Sequence, residues 1–506
     1  MTGVVAVPRL IIEAEGSQQS DFLSQTLSAA RVQQRLSQPT LCELTFTELR
    51  GPLDIAAELK PGTALRVLVT GQDAPLFAGQ VTALEYIYSA DNERLLRVRA
   101  YDLLHQLRKR QTVRAHVQAT VGDLANELAA ESGLSVAAEA DGPVWPHLVQ
   151  HRQSDFELLA GAAERCGLYL TMREDTLHLI TLEGSGDAVS LTLGQNLIEA
   201  RVEINGDSAC REVNASGWDP VLVKAHTGSA GPARVGRRVG VEVTPDSVGG
   251  SGSRELVDET APDDSHAEAL AQAELDLRVA REVTFHGLAN GDTGLQAGAP
   301  VEVDGLGEEF NGTYVLTAVT HTFDARSGYV SQLSSEPPAP APRQHAAAAT
   351  IGIVTRVDDP EGLGRVCVSL PTYGDVETQW LGVVLPAAGP KKGIIALPDV
   401  DDQVVVLSLD GDPGRGFVLG GVYGSTTPPD TGVEASAVKR YTFMTPGGQL
   451  LRLDDAGNLV RIETSSGNFL EFTPDGLRLH AATDLTIEAP GKRVRIRGQA
   501  IDFERA

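Results

Sequence analysis

The chain has 506 residues, room for roughly three or four domains of about 150 residues each and for several hydrophobic cores without a disulfide or metal staple. Hydrophobic residues make up 42% and charged residues 22%, which excludes extensive disorder, and 52 Gly beside 5% aromatics suits many short strands and turns better than a helical bundle. The net charge of −26 repels phosphate and excludes nucleic acid as a partner.

The first residues, Met1 to Arg9, hold no basic n-region and no long apolar run, and no stretch of about 20 apolar residues follows. The expectation is a chain without signal peptide or membrane anchoring, assembled in the cytoplasm. Four cysteines, Cys42, Cys166, Cys210 and Cys367, form no C-x-x-C pair and read as reduced, mostly buried thiols.

The N-terminal body repeats itself. Leu59 to Val67 matches Leu295 to Val303, each with Gly at a turn (Gly62, Gly298) and alternating apolar residues after it. Phe77-Ala78-Gly79 matches Phe310-Asn311-Gly312, Thr82-Ala83 matches Thr317-Ala318, and β-rich runs, Leu95–Tyr101 and Tyr329–Leu333, close the copies. Order and spacing together favour two copies of one small β-domain over two chance hairpins. Between them lie three helical patterns: Thr120–Ser132 with Leu124 and Leu128 inward, a capping box at Ser154-x-x-Glu157 opening a face of Phe156, Leu159, Ala160, Ala163 and Cys166 up to Gly167, and Asp264–Arg281 opened by Ser265-x-x-Glu268. These faces read as packing. Residues 228–253, with Gly249-Gly250-Ser251-Gly252-Ser253, read as a flexible surface loop.

Pro-rich breaks divide the rest. The expected layout is a hub body at 1–335, with copies at about 1–110 and 190–335, a Pro/Ala linker at 336–349, a compact domain at 350–425, a linker at 426–437 and a tail at 438–506. The tail alternates: Leu451/Leu453, Val460/Ile462, Leu470/Phe472, Leu477/Leu479, Leu485/Ile487, Val494/Ile496 and Ile501/Phe503 are i, i+2 apolar pairs recurring every seven to ten residues, with polar residues between. One such strand buries almost nothing, so the units must stack, and three chains around a shared axis would cover every apolar face. An ordinary antiparallel sheet or a single-chain solenoid remains the alternative. The tail carries ten Lys/Arg against nine Asp/Glu, while the remainder carries 32 against 59.

The compact domain resembles that of the VgrG-like spike-hub proteins of contractile injection machines. The resemblance rests on Asp359-Pro360-x-Gly362-x-Gly364-Arg365-Val366, Trp380-Leu381-Gly382-Val383-Val384, Pro398-Asp399-x-Asp401-Asp402-x-Val404-Val405-Val406, Gly411-Asp412-Pro413 and Leu419-Gly420-Gly421-Val422-Tyr423. The family usually has Gly where Asp401 stands, and Asp tolerates a left-handed turn. Gln153 to Leu159 with Ala163 to Leu168 resembles the family's hub helix, and Gly312 to Leu316 with His321 its second barrel. The implied fold class is mainly β with minor α: tube-like β-barrel hub domains, an OB-fold barrel and a C-terminal trimeric triangular β-prism, the needle. The implied partners are two further copies in a homotrimer, a hexameric inner tube protein matched by the duplication, baseplate proteins, a conical PAAR-like tip protein at the needle end and possible effector cargo. In that reading the first twelve tail residues of the seven pairs form the needle core, and Ile501 and Phe503 dock the tip.

Catalytic signatures are lacking. The eleven histidines form no H-E-x-x-H or H-x-H, Gly250-Ser251-Gly252-Ser253 lacks nucleophile-elbow spacing, and Gly389-Pro390-Lys391-Lys392-Gly393 is no P-loop. Asp401-Asp402 and Asp263-Asp264 are adjacent carboxylates, each read as a solvated turn or helix cap. The short 424–439 linker leaves no room for a lytic domain, the chain ends at Ala506 after the last pair, and His480 is the tail's only histidine, so no enzyme, cofactor or metal is expected. A trimeric fibre or adhesin, and a glycan-cleaving tailspike, are the other readings.

Overall fold

The computed structural model describes residues 9–18, 26–47, 59–89, 94–219, 224–259, 261–340, 347–409, 411–424 and 426–504. They divide into two compact units, Met1–Val422 and Tyr423–Ala506.

Eleven strands of the first unit share one sheet. They are β1 (Leu10–Ala14), β2 (Ser17–Gln18), β3 (Leu27–Arg35), β4 (Gln38–Thr47), β5 (Ala64–Val69), β6 (Phe77–Tyr88), β7 (Arg94–Tyr101), β8 (Leu197–Ile204), β9 (Val283–Asn290), β10 (Ala318–Asp324) and β11 (Gly328–Ser334). Their spatial order is β8-β9-β11-β10-β3-β4-β7-β6-β5-β1-β2. The two sequence copies are thus halves of one sheet, joined where β10 pairs antiparallel with β3. Among the described residues the ends, β8 and β2, do not pair with each other, so no barrel closes within the chain. The edge that closing the first copy would need is already taken by the second.

The repeated hairpins differ in register. Leu65 faces Gly79 and Val67 faces Phe77 in the first copy, whereas Val303 faces Gly312 in the second. That slip of two residues preserves which face each side chain occupies, because strand periodicity is two. Each copy keeps its own core: Ile12, Leu44, Phe46, Leu65 and Val67 in one, Phe285, Val301, Tyr314 and Leu316 in the other. Leu36, at the β3–β4 turn, belongs to neither. It is buried among Tyr169, Ile180, Leu182, Ala280 and Ala297, and Gln34 Oε1 accepts the Ala297 amide 3.2 Å away. The turn of the first copy is therefore plugged into the helical insertion and the second copy at once.

Helix α1 (Val121–Ala130) is capped by Thr120, and α2 (Asp155–Arg165) by Ser154 with Glu157 reciprocating, as the capping-box pattern requires. Leu124, Leu128, Leu159 and Ala163 are buried in the insertion's core, and Gly167 ends α2 with φ +67°. Helix α3 (Asp264–Glu282) departs from expectation at its start: Asp263, not Ser265, is the cap, its carboxylate accepting the His266 amide at 2.9 Å. The stretch 228–253 is not one loop. It contains the end of strand Lys224–Ala230, strand Arg238–Val239 and a 3₁₀ turn at Pro245–Val248, and the Gly252 carbonyl accepts the amides of Arg211 and Glu212. Gly-rich composition there serves close backbone approach rather than freedom.

The compact domain is a six-stranded sheet: β12 (Ala348–Arg356), β13 (Cys367–Leu370), β14 (Val376–Glu377), β15 (Gly382–Val383), β16 (Gln403–Leu409) and β17 (Asp412–Gly421), around Val354, Val366, Val368, Leu381, Val404 and Val418. Asp359 pins its opening hairpin, pairing Arg365 at 2.6 Å and accepting the Leu363 amide at 2.9 Å. The Arg365 guanidinium holds that carboxyl well below the usual range. Asp401 adopts φ +72°, the left-handed turn expected of it. All four cysteines are free and buried, and burial raises the Cys166 thiol to about 12.

The second unit is a meander of β18 (Arg440–Met444), β19 (Leu450–Asp454), β20 (Leu459–Glu463), β21 (Phe469–Thr473) and β22 (Gly476–His480), each pairing antiparallel with the next. Residues 481–504 carry no assigned strand.

Candidate functional site

The meander's two faces have opposite chemistry. Its register aligns Tyr441, Leu453, Val460, Phe472 and Leu477 in one cross-strand row, and Phe443, Leu451, Ile462, Leu470 and Leu479 in a second. Ten apolar side chains thus form one continuous face, and it is uncovered: Phe472 is 47% exposed and Leu477 63%. Each such side chain contributes about 1.5–3 kcal/mol when removed from water, so a face this large marks an interaction surface. Tyr441 and Phe443 were not among the pairs read from the sequence, although they obey the same i, i+2 spacing.

The opposite face is charged and self-satisfied. Asp430 takes Thr442 at 2.8 Å and Arg440 at 3.3 Å, with Arg452 at 3.4 Å, and those bonds, beginning with the Gly432 amide, hold its carboxyl well below the usual range. Arg461 bridges Glu463 at 2.9 Å and Glu471 at 2.8 Å while lying over the Phe469 ring. The carboxylates Asp430, Glu463 and Glu471 thus find their partners within the chain.

The remaining tail pairs differ from expectation. Leu485, Ile487, Val494, Ile496, Ile501 and Phe503 lie in chain without strand pairing, all exposed, Phe503 at 90%. The segment does not add to the open outer edge of β22, and a β-strand without a partner has no ladder.

In the eleven-stranded sheet, two open edges matter among the described residues. The outer edge of β6 beyond Val81 has no partner, since β5 covers only Phe77–Gln80, and β8 pairs only with β9 on one side. Both edges carry exposed apolar residues, Tyr86 and Tyr88 on β6, Ile198 and Ile204 on β8. Walking the register shows that the halves are equivalent: Arg31–Glu43–Arg99–Ala83 in the first matches Arg201–His286–Ser334–Ala318 in the second. Order β3-β4-β7-β6 thus corresponds to β8-β9-β11-β10.

Among the described residues no group of three or more His, Cys, Asp or Glu could hold a metal ion, and no helix is long and apolar enough to cross a membrane.

Residues 350–423 match the type VI secretion system/phage-baseplate injector OB domain, and residues 51–325, over half of the chain, match the Alg8 N-terminal domain. No curated protein matches. The chain is similar in structure to the E. coli c3393 protein, a component of the type VI secretion system (TM-score 0.55, 13% identity, covering 81% of this chain and 99% of that one). It is also similar to a chain of the Francisella PdpA–VgrG complex (TM-score 0.56, 9% identity, covering 94% and 88%). The chain belongs to the Alg8 N-terminal-domain family through residues 51–325, carries an injector OB domain, and has the fold of a VgrG-like spike.

Proposed function

We propose that this chain is the central spike of a contractile injection machine, a homotrimer that caps a hexameric inner tube and adapts threefold to sixfold symmetry. The observation that carries this is the tandem order of the hub sheet. Strand β10 ends the second half and pairs with β3, which begins the first, at Thr322↔Arg31. The equivalent pair across the two free edges is Ile87 with Arg201 of the next chain. That register sets Leu84 opposite Ile204, Tyr86 opposite Val202 and Tyr88 opposite Ala200, apolar against apolar. Glu85 meets Glu203, each already paired within its own chain, to Arg97 and to Arg201. A head-to-tail contact of this kind makes a ring where the rotation it imposes closes, and three chains then supply six equivalent units.

The needle reading rests on the uncovered face. Three meanders turned inward bury Leu451, Leu453, Val460, Ile462, Leu470, Phe472, Leu477 and Leu479, and the extended 481–504 segments of three chains supply one another's ladders, enclosing Leu485, Ile487, Val494 and Ile496. Ile501 and Phe503 then form a docking platform for a conical PAAR-like tip protein. Function in this scheme is mechanical: the trimer nucleates tube and baseplate assembly, carries tip and effector cargo, and punctures the target envelope without a covalent step. Assembly is cytoplasmic, and the acidic body steers toward basic partner surfaces.

The test is the register. Tyr86→Lys and Val202→Glu should each open the hub ring, read by hydrogen–deuterium exchange as lost protection of the outer edges of β6 and β8, because each buries an unpaired charge, and the double variant should restore it. Unchanged protection of those edges in both single variants, or no rescue in the double, would refute the pairing.

A further inference from the structure

The OB domain and the helical insertion meet at a small joint built on one imidazole. His147 lies on the insertion strand Trp145–Gln150, and its Nε2 is 3.0 Å from the Glu377 carbonyl at β14. A carbonyl only accepts, so Nε2 carries the proton and Nδ1 is a bare lone pair. Nδ1 is buried without a partner. It faces Gly414 of β17 so closely that a Cβ built there would stand 2.7 Å from Nδ1 and 2.6 Å from Val149 Cγ2. Beside it, His151 packs edge-on against Tyr373 at 5.5 Å.

We propose that this joint is an acid-released latch: it is closed while His147 is neutral and loosens when the ring takes a second proton. An imidazolium needs an acceptor at each nitrogen, and Nδ1 has neither an acceptor nor room for one. The Glu377 carboxylate cannot turn to it without leaving Thr355 at 2.6 Å and Arg356 at 3.3 Å. Around the ring, Asp412 and Arg415 belong to β17, and Arg356 and Arg365 line an adjoining cavity of about 720 Å³. From the hub side the neighbouring strand presents uncharged Ala115 and Val117. Burial lowers the ring's proton affinity, with the Glu377 carbonyl and carboxylate opposing it. Opening the joint returns water to His147 and its ordinary affinity with it. Protons therefore bind the open form more tightly, and acid shifts the closed-to-open ratio by up to about tenfold per pH unit between the two pKa values. The consequence is a hub and an injector domain held together at neutral pH and uncoupled in an acidic compartment.

Hydrogen–deuterium exchange on the full chain at pH 7.5 and pH 5.0, corrected for intrinsic rates, tests this. Protection of peptides spanning 145–151 and 411–417 should fall about tenfold or more at pH 5.0 while β4 and β7 stay protected. His147→Gln keeps an N–H for the Glu377 carbonyl and should stay closed at pH 5.0. Gly414→Ala should read as open already at pH 7.5. His151→Phe should keep the wild-type response. Trp380, which lines the same cavity, should report in the unmodified protein a fluorescence transition with midpoint below 6.5. No transition in the wild type, an unchanged one in His147→Gln, or one abolished only by His151→Phe would overturn the latch.

Discussion

The hub sheet and the needle sheet are incomplete in opposite ways. The hub buries its faces within one chain, in cores around Phe46 and Phe285, and leaves backbone edges open at β6 and β8. The tail meander β18–β22 satisfies its backbone strand by strand and leaves a whole face open. Leu450 is the only apolar residue of the second unit that is buried among those described. An open edge adds hydrogen bonds to a fold that already exists, whereas an open face withholds the core on which folding depends. The hub should therefore fold as a monomer and the needle only as it assembles.

The largest expected effect breaks the needle alone. Leu470→Asp with Phe472→Asp should abolish the proposed trimer of the tail, since unpaired charges buried in its apolar face are intolerable, while circular dichroism of the hub persists. Loss of hub signal in that variant would erase the contrast. Next, Leu36→Ala should cost about 2–5 kcal/mol in hub stability, measured by denaturant titration, because it empties the junction of copy one, copy two and insertion. The needle should not feel it.

Acid should find the hub through His321. The ring is buried, accepting from Ser331 and donating to the Leu295 carbonyl, and burial lowers its pKa from 6.5 to about 4. The unfolded chain binds the proton first, so stability is full above pH 6.5 and declines as pH falls toward 4, by at most about 3 kcal/mol. His321→Gln should flatten that slope in melts at pH 7 and pH 5. The smallest effect belongs to the needle's charged face: Glu471→Gln should change its stability by under about 1 kcal/mol, less at high salt, because the Arg461 pair is partly in water.

Local regularity was readable from residues alone. Alternation in Leu451 to Leu479 predicts strands whose faces the structure aligns, and Ser154-x-x-Glu157 predicts a cap found atom for atom. The hub's duplication was visible at Ala83 and Ala318, which the register makes equivalent. What escaped is nonlocal. Nothing near Arg31 announces Thr322 as its neighbour, and Leu36 reads as a turn residue although it joins three substructures. Residues 228–253 misled because Gly and Ser signal freedom in isolation, while distant strands decide whether they are held. At α3, Asp263 and Ser265 are both competent caps, and sequence does not rank them. The free edges of β6 and β8 have no signature until the sheet order is known.

The needle meander has one further property: it is a ruler. Each strand from β18 to β22 pairs only with its predecessor and successor, so length is additive. Inserting or deleting one hairpin beyond β19, clear of the Asp430 contacts to Arg440, Thr442 and Arg452, would lengthen or shorten the array by about 9–10 Å, two interstrand spacings. Array length can thus be retuned by tandem duplication of roughly twenty codons, and in the proposed spike that length sets reach.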